Sequence, residues 1–75
     1  MRLVEARRLR LLSQRELAAK AGVAEKTVVD IEVGRGSNPR LSTMRKLAAA
    51  LEMDALDIEE FRAVILGKEV ALASA

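Results

Sequence analysis

Apolar residues recur along this chain at spacings of three and four, the period of a helix with one buried face. Leu3 and Ala6, followed by Leu9 or the stem of Arg10, predict a first helix from about Arg2 to Leu11. Leu17, Ala18 and Ala21 share one face of a second. A third begins near Ala24 or Glu25 and ends before Gly34, with Val28 and Ile31 inward and Ala24 beside them. Leu41, Met44, Leu47, Ala48 and Leu51 mark a fourth, roughly Ser42 to Leu51. A fifth, opened by Asp54, carries Leu56, Ile58, Phe61 and Ile65. The stretch Lys68 to Ala75, past Gly67, fits a helix or a loose tail equally well.

The polar positions punctuate the same pattern. Ser13 with Glu16 three residues on is a capping box: the hydroxyl accepts from the first turn, and the carboxylate reaches back to the Ser13 amide. Gly22 directly after Ala21 suits a left-handed helix end. Asp57 complements the positive end of the fifth helix. Only Gly34-Arg35-Gly36-Ser37-Asn38-Pro39 reads as a true loop, and no window alternates as a strand does. The expected fold is all-α, a compact bundle of four to five helices.

Composition narrows the function. With 75 residues, the chain is one domain with a small core. It has no Cys and no His, so there is no disulfide, thiol nucleophile, imidazole base or zinc site of the usual kind. Neither an enzyme, a cofactor nor a metal is expected. No apolar run approaches the about 20 residues of a membrane span, and Arg2 is followed by no secretory core, so the expected compartment is the cytoplasm. The net charge of +2 hides an asymmetry. Residues 1–46 hold eleven Lys or Arg against five acids, and residues 47–75 two against six. A basic first part suits a polyanion; a solvated mixed surface accounts for the same charges equally well.

Gly22-Val23 alone separates the second and third helices, with small Ala18 and Ala21 at their crossing. That is the spacing of a helix-turn-helix, whose second helix enters the DNA major groove, although many bundles without a DNA role share it. The residues are more specific. Leu12-Ser13-Gln14-Arg15-Glu16-Leu17-Ala18-Ala19-Lys20-Ala21-Gly22-Val23 is followed by Thr27-Val28, Ile31-Glu32-Val33-Gly34-Arg35, Asn38-Pro39 and Leu47 to Leu51. Over about residues 3 to 60 this resembles the Cro and repressor-type, or Xre, family. The resemblance implies a repressor-like bundle, residues 1–66 forming the DNA-binding domain, and residues 67–75 as a tail that joins a dimer interface or is disordered.

At 100° per residue, Glu25, Lys26, Val29, Asp30 and Val33 fall within about 140° of the third helix, opposite Val28 and Ile31. Four of them are candidates for base readout: Lys26 toward guanine O6 and N7, Glu25 or Asp30 toward cytosine N4, Val29 toward a thymine methyl. Two carboxylates beside phosphates require flanking groups to grip the backbone. The resemblance places Gln14 and its amide there, with Arg35, Asn38 and Arg40 of the loop. Arg15 and Thr27 complete the phosphate set, and Arg10 and Lys20 are looser candidates. It also implies an ion pair between Arg7 and Glu32, fixing the reading helix to the scaffold.

Three departures from the family stand out. Ala24 replaces the usual Ser or Thr cap of the third helix, and Leu11 and Glu52 stand where Gly is common, in backbone that Gly tolerates better. Specific affinity calls for two copies, with half-sites about 34–36 Å apart. Ile58, Phe61, Val64 and Ile65 share an arc of about 120° and, with Val70 and Leu72 beyond Gly67, are the expected dimer interface. The leading expectation is a homodimeric repressor of double-stranded DNA. The rival is a protein-interaction or antitoxin-type module whose partner is a protein such as a toxin.

Overall fold

A computed structural model describes the backbone of residues 1–36 and 38–74 and the side chains of 1–36 and 38–67. Among these residues five α-helices follow in order: α1 (Leu3–Leu9), α2 (Gln14–Ala21), α3 (Glu25–Val33), α4 (Leu41–Leu51) and, after a 3-10 turn at Ala55–Asp57, α5 (Glu59–Ser74). No strand is present among them. The expected all-α bundle is the observed one. The core is a single cluster built on Leu3, Leu17, Val28, Met44, Leu47, Leu51, Ile58 and Phe61, each essentially sealed from solvent. Every helix contributes to it, and α2 packs chiefly against α3 and α4.

Four helix ends use the same device. Leu11, Gly22, Gly34 and Glu52 all lie in the left-handed region, at φ 58°, 73°, 73° and 56°. After each, the next amide reaches five residues back: Leu12 to Arg7, Val23 to Ala18, Arg35 to Asp30 and Met53 to Ala48, at 2.8–3.1 Å. This Schellman closure satisfies carbonyls that the helix leaves open. At three of the four ends the donor is apolar and tucks onto the core, as Leu12, Val23 and Met53 do. The exception is Arg35, so the end of α3 presents an exposed guanidinium where the others bury a side chain.

Leu11 and Glu52 thus occupy the conformation in which Gly was expected. A side chain there costs about 1–2 kcal/mol, offset by the roughly 0.4–1 kcal/mol that Gly would lose in chain entropy. Leu11→Gly and Glu52→Gly should therefore each stabilise the fold by about 0.5–1 kcal/mol, read as a raised urea midpoint. A lowered midpoint for both would mean that their side chains hold the turn.

Several boundaries differ from the sequence pattern. The first helix stops at Leu9, because Arg10 and Leu11 enter the turn. Leu9 and Leu41 are largely exposed, not inward. Arg10 is drawn to the end of α4, where Nε donates to the Leu51 carbonyl at 2.8 Å, which removes it from the DNA candidates. Asp54 caps the 3-10 turn through the Leu56 amide at 2.9 Å, so the fifth helix starts only at Glu59 and Leu56 is turned outward. That start is tied to the chain's beginning: Glu59 N–H donates to the Met1 carbonyl, and Leu3 N–H to Glu60 Oε1. α5 runs unbroken across Gly67, so the expected boundary between residues 66 and 67 falls inside a helix.

The largest correction concerns α5. Ile58, Phe61 and Val64 are buried in the core of the single chain, and Ile65 is packed against it. The stripe expected to meet a second copy instead packs into the core of its own chain. Val70 and Leu72, assigned to the same interface, have side chains outside the described residues.

Candidate nucleic-acid interface

The turn between α2 and α3 is short because Gly22 reverses the chain in one residue and Val23 anchors it on the core. Ser13 caps α2 by accepting from the Glu16 amide at 3.0 Å, and Glu16 Oε1 accepts from the Ser13 amide at 2.9 Å. That amide bond, then the Ser13 hydroxyl, holds the Glu16 carboxyl below its ordinary pKa. The box is therefore intact above about pH 4.5 and loosens as pH falls through the lowered value.

One residue organises the site. Glu32, on the last turn of α3, accepts from Arg7 Nε at 2.7 Å on Oε2, and from Arg7 Nη2 at 3.1 Å and Gln14 Nε2 at 3.0 Å on Oε1. Arg7 Nη1 also donates to the Leu12 carbonyl at 2.9 Å. The side chains of Arg7 and Glu32 are only 11% and 6% exposed. Three elements are thereby locked: α1 through Arg7, the first turn of α2 through Gln14, and α3 through Glu32. The forked pair fixes the roll of α3 as well as its position, which a single bond would not.

This places Gln14 differently from the expectation that its side chain meets a phosphate: its amide nitrogen is committed to Glu32. Its backbone N–H, like that of Arg15, has no acceptor among the described residues and lies at the positive end of α2. Arg15 itself is exposed.

On α3, Glu25, Lys26 and Val33 are exposed. Val29 is half-buried. Asp30 is half-buried too, and its Oδ1 is sealed from solvent without a hydrogen-bond partner among the described residues. Asp30 is thus turned toward the loop after α3 instead of lying wholly on the reading arc, because the Gly34 turn brings that loop back along it. With Thr27, Arg35, Asn38 and Arg40 it lines an open cleft of about 340 Å³. The cleft thus gathers four of the phosphate candidates on one side of α3, and the α2 amides supply a second group. Ala24 makes no side-chain cap, so the start of α3 keeps its polar amides open.

Sequence reasoning named Arg35 as a phosphate candidate but missed the Gln14–Glu32 bond. That bond left no signal in the sequence, since it depends on how α2 and α3 cross.

Two helices joined by a one-glycine turn, the second locked at a fixed roll with its outer face bare, define a helix-turn-helix domain. A family model described as Helix-turn-helix matches residues 3–58, most of the chain. The chain belongs to this family, the Cro and repressor-type, Xre-like helix-turn-helix domains, a family of DNA-binding regulators and not typically of enzymes. No curated protein and no solved structure gives a significant match. Among the described residues no helix is long and apolar enough to cross a membrane.

Proposed function

We propose that this chain is a sequence-specific regulator, a repressor, that inserts α3 into the major groove of double-stranded DNA. The observation that carries the reading is the Glu32 hub, which holds α3 at a fixed roll with Glu25 and Lys26 outward. Lys26 is the group that reads guanine, and Glu25 the acceptor for cytosine N4. Val29 meets a thymine methyl with its exposed edge, and Asp30 reaches a base with Oδ2 alone. The α2 amides of Gln14 and Arg15 hold one phosphate, and Thr27, Arg35, Asn38 and Arg40 hold the strand beyond α3. Repression follows from occupying a site that transcription needs.

Two copies acting on a palindrome supply the affinity that one short helix lacks. With Ile58, Phe61 and Val64 inside the core, pairing uses the edge of Leu41, Ile65 and Leu66, beside a cleft of about 300 Å³ lined by Leu41, Met44, Arg45, Ala55 and Ile65. The isologous contact of identical edges is the commonest way to close such a pair.

Two variants test the docking. Arg40→Ala should weaken binding to all sequences alike and flatten the log–log salt slope by roughly one unit. Lys26→Ala should instead relax preference at one base pair, losing roughly 1–3 kcal/mol of discrimination there. Equal weakening of specific and random duplexes by Lys26→Ala would reduce it to a phosphate contact. A flat salt dependence of the parent protein would favour the protein-binding alternative.

A further inference from the structure

Leu9 and Leu11 are the two most exposed large apolar residues among those described, at 64% and 89%, and they stand two positions apart at the end of α1. Leu11 also sits in the left-handed region at φ 58°. A leucine there is strained and covers nothing in its own chain, so neither packing nor backbone accounts for it. Arg8, exposed and without a bonded partner among the described residues, flanks the pair. The result is an aliphatic knob beside a cation.

The complementary surface is on the same molecule. In the 3-10 turn, Leu56 is 44% exposed, and exposed Asp54, Asp57 and Glu59 surround it in the chain. It is an apolar residue with exposed acids on both sides of it in the chain, and the Met1 ammonium donates to the Asp57 carbonyl beside it. The two patches cannot meet within one chain. Met1 bonds Asp57 and Glu59 by its backbone, so the acidic patch stands at the beginning of α1 and the knob at its end, about 10 Å of helix apart. Patches that match but sit at opposite ends of one element join copies head to tail.

We infer that Leu9, Leu11 and Arg8 of one copy dock on Leu56, Asp54 and Asp57 of the next, forming an open series of copies. The contact is separate from the Leu41–Leu66 edge. It rests on the DNA-binding reading only for its use, which is to let neighbouring bound copies support one another.

The test is sedimentation of the full chain from micromolar to millimolar concentration at low salt, without DNA. The mass of the parent protein should keep rising past a pair. Leu11→Gly should stop that rise while melting no lower than the parent, which separates lost contact from lost fold. Arg8→Glu alone and Asp57→Arg alone should also stop it. The chain carrying both Arg8→Glu and Asp57→Arg should regain it, because the exchanged charges again face each other between copies. A parent mass that levels at a pair or a monomer, or a double variant no better than the single ones, overturns the contact. Binding of each variant to one short duplex is measured in parallel. It should be unchanged, so that failure of the contact and failure of the DNA reading give different results.

Discussion

Replacing Glu32 by Ala should cost about 3 kcal/mol of stability. The hub binds three donors, and its removal leaves Arg7, 11% exposed, with only the Leu12 carbonyl, and leaves the Gln14 amide without its acceptor. Breaking one partner of a buried pair costs about 3–5 kcal/mol, and the slight exposure here argues for the lower end. A chain of 75 residues has roughly 4–11 kcal/mol in total, at about 0.05–0.15 kcal/mol per residue, so the loss is a large share of it. Glu59→Ala, at an exposed acid, should stay within about 0.5 kcal/mol of the parent. Urea midpoints decide between them, and equal midpoints would contradict the hub. A second comparison separates stability from orientation. Arg7→Met with Glu32→Leu replaces the pair by apolar groups and should recover most of the stability. Its DNA affinity should still fall, because α3 then lacks the forked bond that fixes its roll.

Phe61→Ala should be as damaging, at about 3–5 kcal/mol, since the ring is fully buried and its removal leaves a cavity in the core cluster of the described residues. The same change at an interface between copies would weaken pairing and leave the single chain intact. Thermal melting of dilute protein distinguishes the two. A Phe61→Ala chain that melts like the parent but fails to pair would return Phe61 to the interface. Leu66→Ala, on the exposed edge, should do the reverse: it should barely shift the melt and should weaken pairing.

What was legible in the sequence was local. The Ser13–Glu16 box, the Gly22 and Gly34 helix ends and the inward Leu17, Val28, Leu47 and Leu51 follow from short-range rules, because the partners in each lie within one turn or on one face. Leu11 and Glu52 as left-handed residues were legible through the family resemblance, which puts Gly in their places. The errors came where a face had to be assigned a neighbour. Periodicity groups Ile58, Phe61, Val64 and Ile65, but it does not say whether their own bundle or a second copy covers them. It put Leu41, and Leu9 or the stem of Arg10, inward for the same reason, although Leu9 and Leu41 sit at the ends of α1 and α4, where the chain turns away. In the site, Lys26 and Glu25 could be placed by angle alone. Gln14 could not, since its side chain answers to Glu32 across the α2–α3 crossing. Nor could Asp30, whose surroundings depend on the return of the loop after Gly34.

The most direct measurement of the central claim, that α3 is the reading helix, is an amide chemical-shift titration of the labelled chain with duplex DNA. The shifts should concentrate at Gln14 and Arg15, from Ala24 to Asp30, and at Arg35, Asn38 and Arg40, with α5 unchanged. Shifts gathered on α4 and α5, or none in α3 at saturation, would contradict it.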